Sequence, residues 1–83
     1  MAAYSSPEQA TNALHRLILI AVPPNHLGNK TITHFCYLAE TSRAAVWKMI
    51  KNLHVQPHMA MKIVEIGEGR VTLDQLHRFV YGG

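Results

Sequence analysis

The chain has 83 residues, of which 48% are hydrophobic and 16% charged, with a formal charge of +3 at pH 7 and a sequence pI near 9.4. This length allows one domain, and the apolar content excludes a disordered tail. We therefore predict a single domain over residues 1–83 whose moderate basic charge suits an anionic partner. The one cysteine excludes an internal disulfide, and the longest apolar run, residues 17–22, is too short to span a membrane. A cytoplasmic protein without a membrane partner is the expectation.

The first predicted helix covers residues 7–21. Ser6 is a suitable N-cap, proline is tolerated at the first helical position, and Pro23 and Pro24 prevent the helix from continuing. The apolar stripe with helical spacing consists of Ala10, Leu14, Leu17, Ile18 and Ala21. An alternative for residues 17–22 is a short strand, because isoleucine and valine favour strands.

The second half of this helix is apolar on most sides, which leaves more apolar surface than a small monomer covers. The side chains that lie off the stripe are Leu19, Ile20 and Val22. We predict that they contact a second copy of the chain in a homodimer.

A second helix is predicted from about Thr31 to Ala39, with a third helix from the Thr41-Ser42 cap to about Asn52. The buried face of the second helix consists of Ile32, Phe35, Cys36 and Ala39. The inward stripe of the third helix consists of Val46, Met49, Ile50 and Leu53. Its opposite side carries Arg43, Ala44, Trp47, Lys48 and Lys51.

These two helices have the order of features that a helix-turn-helix needs. Cys36 is a small residue at the position where the second helix would cross the first, and Glu40 to Ser42 supply the turn and the cap. The segment from Thr41 to Val64 contains four basic residues and no acidic residue. Residues 32–51 are therefore predicted to form a helix-turn-helix that places its second helix in the major groove of DNA.

The predicted DNA-binding residues are Thr41, Ser42, Arg43, Ala44, Trp47, Lys48, Lys51 and Asn52. Arg43 is the candidate for reading bases, since arginine can donate two hydrogen bonds to guanine. Lys48 and Lys51 are expected to neutralise phosphates, and the hydroxyls before the helix could also hold phosphates. For Trp47 two interpretations stay open, contact with DNA or packing against neighbouring helices.

Pro57 is predicted to open a fourth helix, and Gly67 to end it in a left-handed conformation. The core-facing positions of that helix are Met59, Ala60, Ile63, Val64 and Ile66. Thr72 and Gln75 have capping-box spacing, so a last helix is predicted over residues 73–80, anchored by Leu76, Phe79 and Val80. The expected fold class is all-α, a small bundle of about five short helices.

The segments LAETSRAAVWKMIKN (38–52) and RVTLDQLHRFVY (70–81) resemble the Cro-like helix-turn-helix repressors, particularly the YdaS-like group of phage-type regulators. The resemblance covers roughly residues 31–81. It implies a lambda-repressor-like DNA-binding domain that controls transcription as a homodimer on a two-fold symmetric operator, in the cytoplasm or nucleoid of a host cell. Two positions depart from the pattern: Glu40 where glycine is usual, and Ala39 where a larger apolar residue is common.

Other classes of function are not favoured. The sequence has no Gly-rich phosphate loop and no close acid pair, and its six histidines lack metal-ligand spacing, so we expect no enzymatic activity, cofactor or metal. Cys36 is expected to be a small core residue. The alternative function is a small helical interaction module with a protein partner, either a phage-encoded inhibitor or adaptor, or an antitoxin that also represses its own promoter.

Overall fold

The computed structural model describes residues 10–80, which form five α-helices and no strand. The helices are α1 (Ala13–Ala21), α2 (Ile32–Ala39), α3 (Arg43–Asn52), α4 (Pro57–Gly67) and α5 (Leu73–Val80). Within these residues α4 packs against α1, α2 and α5, while α2 also packs against α1 and α3. The predicted all-α bundle is confirmed. None of the described helices has the length and apolar character needed to cross a bilayer.

The start of α1 differs from the predicted one. Asn12 is extended (φ −158°, ψ −177°), and its side chain accepts a hydrogen bond from the His15 amide at 2.9 Å as the N-cap. Residues 10–12 are not helical, so the prediction of one continuous helix over residues 7–21 is wrong; Pro7 itself lies outside the described residues. The end at Ala21, before the two prolines, is confirmed, and the helix through residue 21 excludes the alternative strand.

The core contains buried side chains from all five helices. All four predicted side chains of α2 are buried, whereas α1 contributes Leu14, Ile18 and Ala21 and leaves Leu17 half-buried. Val22 is also fully buried, because the chain becomes extended after α1 and turns this side chain inward. A dimer contact through Val22 is therefore wrong: it offers no surface to a second copy. Leu19 is half-buried against the core, and Ile20, at 39% exposure, remains a surface residue.

Gly67 does not end α4 in a left-handed conformation as predicted. That conformation belongs to Glu68 (φ 48°), and Gly67 is the last helical residue. Gly67 is buried where α4 meets α1, and a Cβ atom added to it would lie 3.2 Å from the Cβ of Ala21. That contact would be unusually tight, so glycine allows α4 to approach α1 closely at this point.

The remaining helix ends are fixed by local hydrogen bonds. In α5, the amide of Thr72 donates to Oε1 of Gln75 at 2.8 Å and the amide of Gln75 donates to Oγ1 of Thr72 at 3.3 Å, which confirms the predicted capping box. The start of α4 at Pro57 is also confirmed, although Val64 and Ile66 are only half-buried.

Three basic side chains of the described residues donate to carbonyl oxygens at helix C-termini. Nζ of Lys30 donates to the carbonyl oxygen of Ile20 at 3.4 Å. Nζ of Lys62 donates to the carbonyl oxygen of Ala39 at 3.0 Å. The guanidinium of Arg70 donates to the carbonyl oxygen of Ala21 at 2.9 Å. Cations at such carbonyls stabilise a helix end. One of the four basic residues in the stretch that lacks acids, Lys62, thus has a structural role within the bundle.

Candidate nucleic-acid interface

The helix pair α2 and α3 meets through small and β-branched side chains. Cys36 and Ala39 of α2 and Val46 and Ile50 of α3 are all buried, as their helical spacing predicts. Small side chains on α2 allow α3 to approach closely. The opposite side of α3 is thereby left facing outward.

The turn between α2 and α3 contains a left-handed residue that is not glycine. Glu40 has φ 57° and ψ 47°, and its amide donates to the carbonyl oxygens of Cys36 and Tyr37. The amide of Thr41 also donates to the Cys36 oxygen, at 3.0 Å. This pattern is the usual C-terminal motif of helices that end in glycine. Glu40 therefore adopts the backbone conformation for which glycine is usual.

We expect Glu40→Gly to raise the free energy of unfolding by about 0.5–1 kcal/mol, because a left-handed conformation is costly for residues with a Cβ atom. Urea denaturation of the two proteins measures the difference. Glu40→Ala is the matched control, since it removes the same charge but keeps the Cβ atom. Equal stabilities for the glycine and alanine variants would contradict the explanation.

The start of α3 is capped by Ser42. Its Oγ accepts a hydrogen bond from the amide of Ala45 at 3.1 Å, and its backbone is extended (φ −87°, ψ 154°). The predicted cap is confirmed, and Ser42 and Arg43 are exposed at this end of the helix, with Thr41 half-buried beside them. Amide groups at a helix start favour negative charge nearby.

The exposed surface of α3 is basic. Its exposed residues are Arg43, Ala44, Ala45, Lys48, Lys51 and Asn52. No residue of α3 is acidic. Four of the eight residues predicted from the sequence lie together on its outward face, namely Ala44, Lys48, Lys51 and Asn52. Arg43 is exposed as the first residue of α3, one turn before Trp47 and on the same side of the helix as Trp47. Thr41 and Ser42 lie just ahead of it.

Trp47 lies on the flank of α3 rather than on this face. The indole is half-buried, and its ring meets the ring of His15 edge-to-face, with centroids 5.1 Å apart. The sequence left two interpretations of Trp47 open, contact with DNA and packing against a neighbouring helix. The contact with His15 of α1 agrees with the second. Leu53 is also displaced from its predicted inward position: it is 46% exposed and left-handed (φ 53°), because α3 ends there.

α1 holds α3 from the other side through Asn12 and His15. Nδ2 of Asn12 donates to the carbonyl oxygen of Ile50 at 2.9 Å, near the C-terminus of α3. His15 is buried, and its Nδ1 accepts from the amide of Thr11 at 3.0 Å while its ring contacts Trp47. These contacts fix the orientation of α3 relative to the bundle. No local pattern predicts these contacts, since the partners are up to 38 residues apart.

An open cleft of about 340 Å³ runs along the exposed face of α3 toward the start of α4. The described residues that line it are Thr41, Ala45, Lys48, Met49, Asn52, His54, Gln56, His58 and Met59. None of these is acidic, and most can donate a hydrogen bond. The site predicted from the sequence ends at Asn52, because the geometry of α3 alone cannot place residues beyond its last turn. His54, Gln56 and His58 line the cleft because the chain turns from α3 into α4 there.

Within residues 10–80, no group of three or more His, Cys, Asp or Glu residues is placed to hold a metal ion. The thiol of Cys36 is buried and is not in a disulfide. Comparison of the chain with protein-family models, with curated proteins and with solved structures finds no match.

Proposed function

We propose that this protein is a sequence-specific DNA-binding transcriptional regulator that inserts α3 into the major groove. The observation that carries the proposal is the exposed surface of α3, which presents Lys48 and Lys51 on its outward face, Arg43 at its first position and no acidic residue. The inward face of the same helix is buried against α2. A rigidly held helix with a basic outer face fits the dimensions and the charge of the major groove.

The proposed roles follow from position along the helix. Arg43, the first residue of α3, would reach base edges and bind guanine through two hydrogen bonds. Lys48 and Lys51 would neutralise phosphates on the wall of the groove. The cleft beside Lys48 would accept the neighbouring backbone, with His54 and His58 as further donors. Trp47 would support α3 from within the bundle rather than touch a base.

We further propose a homodimer that acts as a Cro-like repressor on a two-fold symmetric operator. The support is the resemblance of residues 31–81 to that group, together with the exposed Ile20 on α1. In such a dimer the two copies of α3 would lie about 34 Å apart, one turn of B-DNA.

Selection from random duplex DNA at near-physiological salt, followed by sequencing, tests the proposal. We expect an inverted repeat whose half-sites are separated by about 10 base pairs. Trp47, the only tryptophan of the chain, offers a fluorescence signal on the flank of α3 for titrations with the selected duplex. Absence of any enriched sequence would overturn the proposal.

A second candidate, a protein-interaction module, is favoured by large apolar side chains at the surface. Tyr37 of α2 is 78% exposed, and its ring stacks on His34 with centroids 6.4 Å apart. Leu27 and Met61 are also exposed. Aromatic residues are enriched at protein interfaces. This candidate predicts that a protein partner still binds when Arg43 and Lys48 are replaced, whereas DNA binding would be lost.

A further inference from the structure

A second basic site lies between α1 and α5, outside the outward face of α3. It is a notch of about 240 Å³, and the described residues that line it are Ala13, Arg16, Leu17, Gln75 and Arg78. Arg16 and Arg78 are both exposed and come from helices separated by three others along the chain. None of the described lining residues is acidic. The notch therefore presents two guanidinium groups together with apolar walls.

Arg78 is held in place by its neighbour. Its Cζ atom lies 4.7 Å from the centroid of the Phe79 ring, and that ring is itself buried. Stacking on an aromatic face limits the number of conformations that an arginine samples, so less entropy is lost when it binds a ligand. Arg16 lies in the first half of α1, where the amide of Arg16 donates to the carbonyl oxygen of the N-cap Asn12 at 3.0 Å.

Two guanidinium groups that line one notch repel each other unless an anion lies between them. Asp74 precedes Arg78 by four residues on α5, yet it is not among the residues that line the notch. Each guanidinium presents a planar fork of N–H donors. The two oxygens of a carboxylate would be filled by one fork, whereas a tetrahedral phosphate has oxygens enough for both.

We infer that the notch between α1 and α5 binds a phosphate group through Arg16 and Arg78. The phosphate could come from two sources, the DNA backbone or a free phosphate compound. The first source rests on the proposed function. Residues next to the notch in sequence tie α1 and α5 to the end of α3, since Asn12 donates to the Ile50 carbonyl oxygen and the amide of Val55 donates to the Phe79 carbonyl oxygen at 2.9 Å.

The test is a titration of the isotope-labelled protein with inorganic phosphate at constant ionic strength, with the amide chemical shifts as the readout. A titration with sodium chloride serves as the reference for effects of salt alone. We expect saturable shifts at residues 13–17 and 75–78 in the native chain. In Arg16→Gln with Arg78→Gln the apparent Kd should rise at least tenfold. Arg16→Lys with Arg78→Lys keeps both charges but removes the forks, and should weaken binding to an intermediate degree. Lys30→Gln, on the loop before α2, is the control and should bind phosphate like the native chain.

Titration with the selected duplex distinguishes the two sources. If the DNA backbone fills the notch, the double glutamine variant should keep the same base preference. The slope of log affinity against log salt should fall in magnitude by about 0.9 for each copy bound, or about 1.8 for the dimer. If a free phosphate compound fills the notch, inorganic phosphate should shift the amide signals of the native chain as before. The salt slope of DNA binding should then be the same for the native chain and the double glutamine variant. Absence of saturable shifts together with an unchanged slope overturns the inference. Because the phosphate titration contains no DNA, a failure of the proposed function in the selection experiment is distinguishable from a failure here.

Discussion

Arg43→Ala combined with Lys48→Ala should weaken binding to the selected duplex on the order of 100-fold. Both side chains are exposed on α3, and neither contributes to the buried core, so the fold should be unaffected. A bidentate arginine–guanine contact is worth roughly 1–3 kcal/mol, and loss of a phosphate contact adds to it. A fluorescence or mobility-shift titration at fixed salt measures the change, and circular dichroism verifies the fold.

The two single variants should differ in kind. Arg43→Ala should relax the base preference at one position of each half-site, whereas Lys48→Ala should weaken all sequences alike and reduce the salt slope by about 0.9 for each copy bound, or about 1.8 for the dimer. Lys30→Ala serves as the control for loss of one positive charge away from α3. Native affinity in the double variant would rule out α3 as the recognition helix and favour the protein-interaction alternative.

Asn12→Ala should lower the free energy of unfolding by about 1.5–2.5 kcal/mol, a large effect for a domain of this size. The substitution removes the N-cap of α1, worth about 1 kcal/mol, and the 2.9 Å hydrogen bond to the carbonyl oxygen of Ile50, which then keeps only the longer bond from the Leu53 amide at 3.3 Å. Chemical denaturation monitored by the fluorescence of Trp47 provides the measurement, since this indole lies between α1 and α3.

Asn12→Ser separates the two contributions. Serine is a good N-cap, but its hydroxyl is too short to reach Ile50, so this variant should recover only the capping part of the lost stability. Thr33→Ala, at an exposed position on α2, is the control and should change stability by less than about 0.5 kcal/mol. If Asn12→Ala behaves like this control, the bridge from α1 to α3 does not stabilise the protein.

Most of the helix boundaries could be predicted because they depend on interactions between residues close in the chain. Thr31, Ser42 and Thr72 each cap the helix that follows them, and Pro57 opens α4 because its missing amide costs nothing there. The buried stripe of α2 was equally predictable from its spacing. For the candidate site, the same helical geometry placed Lys48 and Lys51 on one exposed face, and Arg43 is exposed at the start of the helix.

The incorrect predictions share a different cause. Serine and proline at positions 6 and 7 suggested where α1 would begin, but Asn12 caps this helix and also bonds to α3. Gly67 looked like a helix terminator, yet its missing side chain is explained by the proximity of Ala21. The side of α3 that Trp47 occupies was decided by His15, a partner on another helix. In each case a contact between distant residues outweighed a local preference.

Capping and helical periodicity within a few residues specify the all-α class, the five helices of residues 10–80, most of their limits and the basic residues exposed on α3. The burial of Val22 and the continuation of the cleft beside Lys48 into α4 depend on how the helices pack. The same is true of the notch that Arg16 and Arg78 share. Local hydrogen bonds are specified by neighbouring residues, whereas burial and shared sites depend on how whole helices pack, which no short segment specifies.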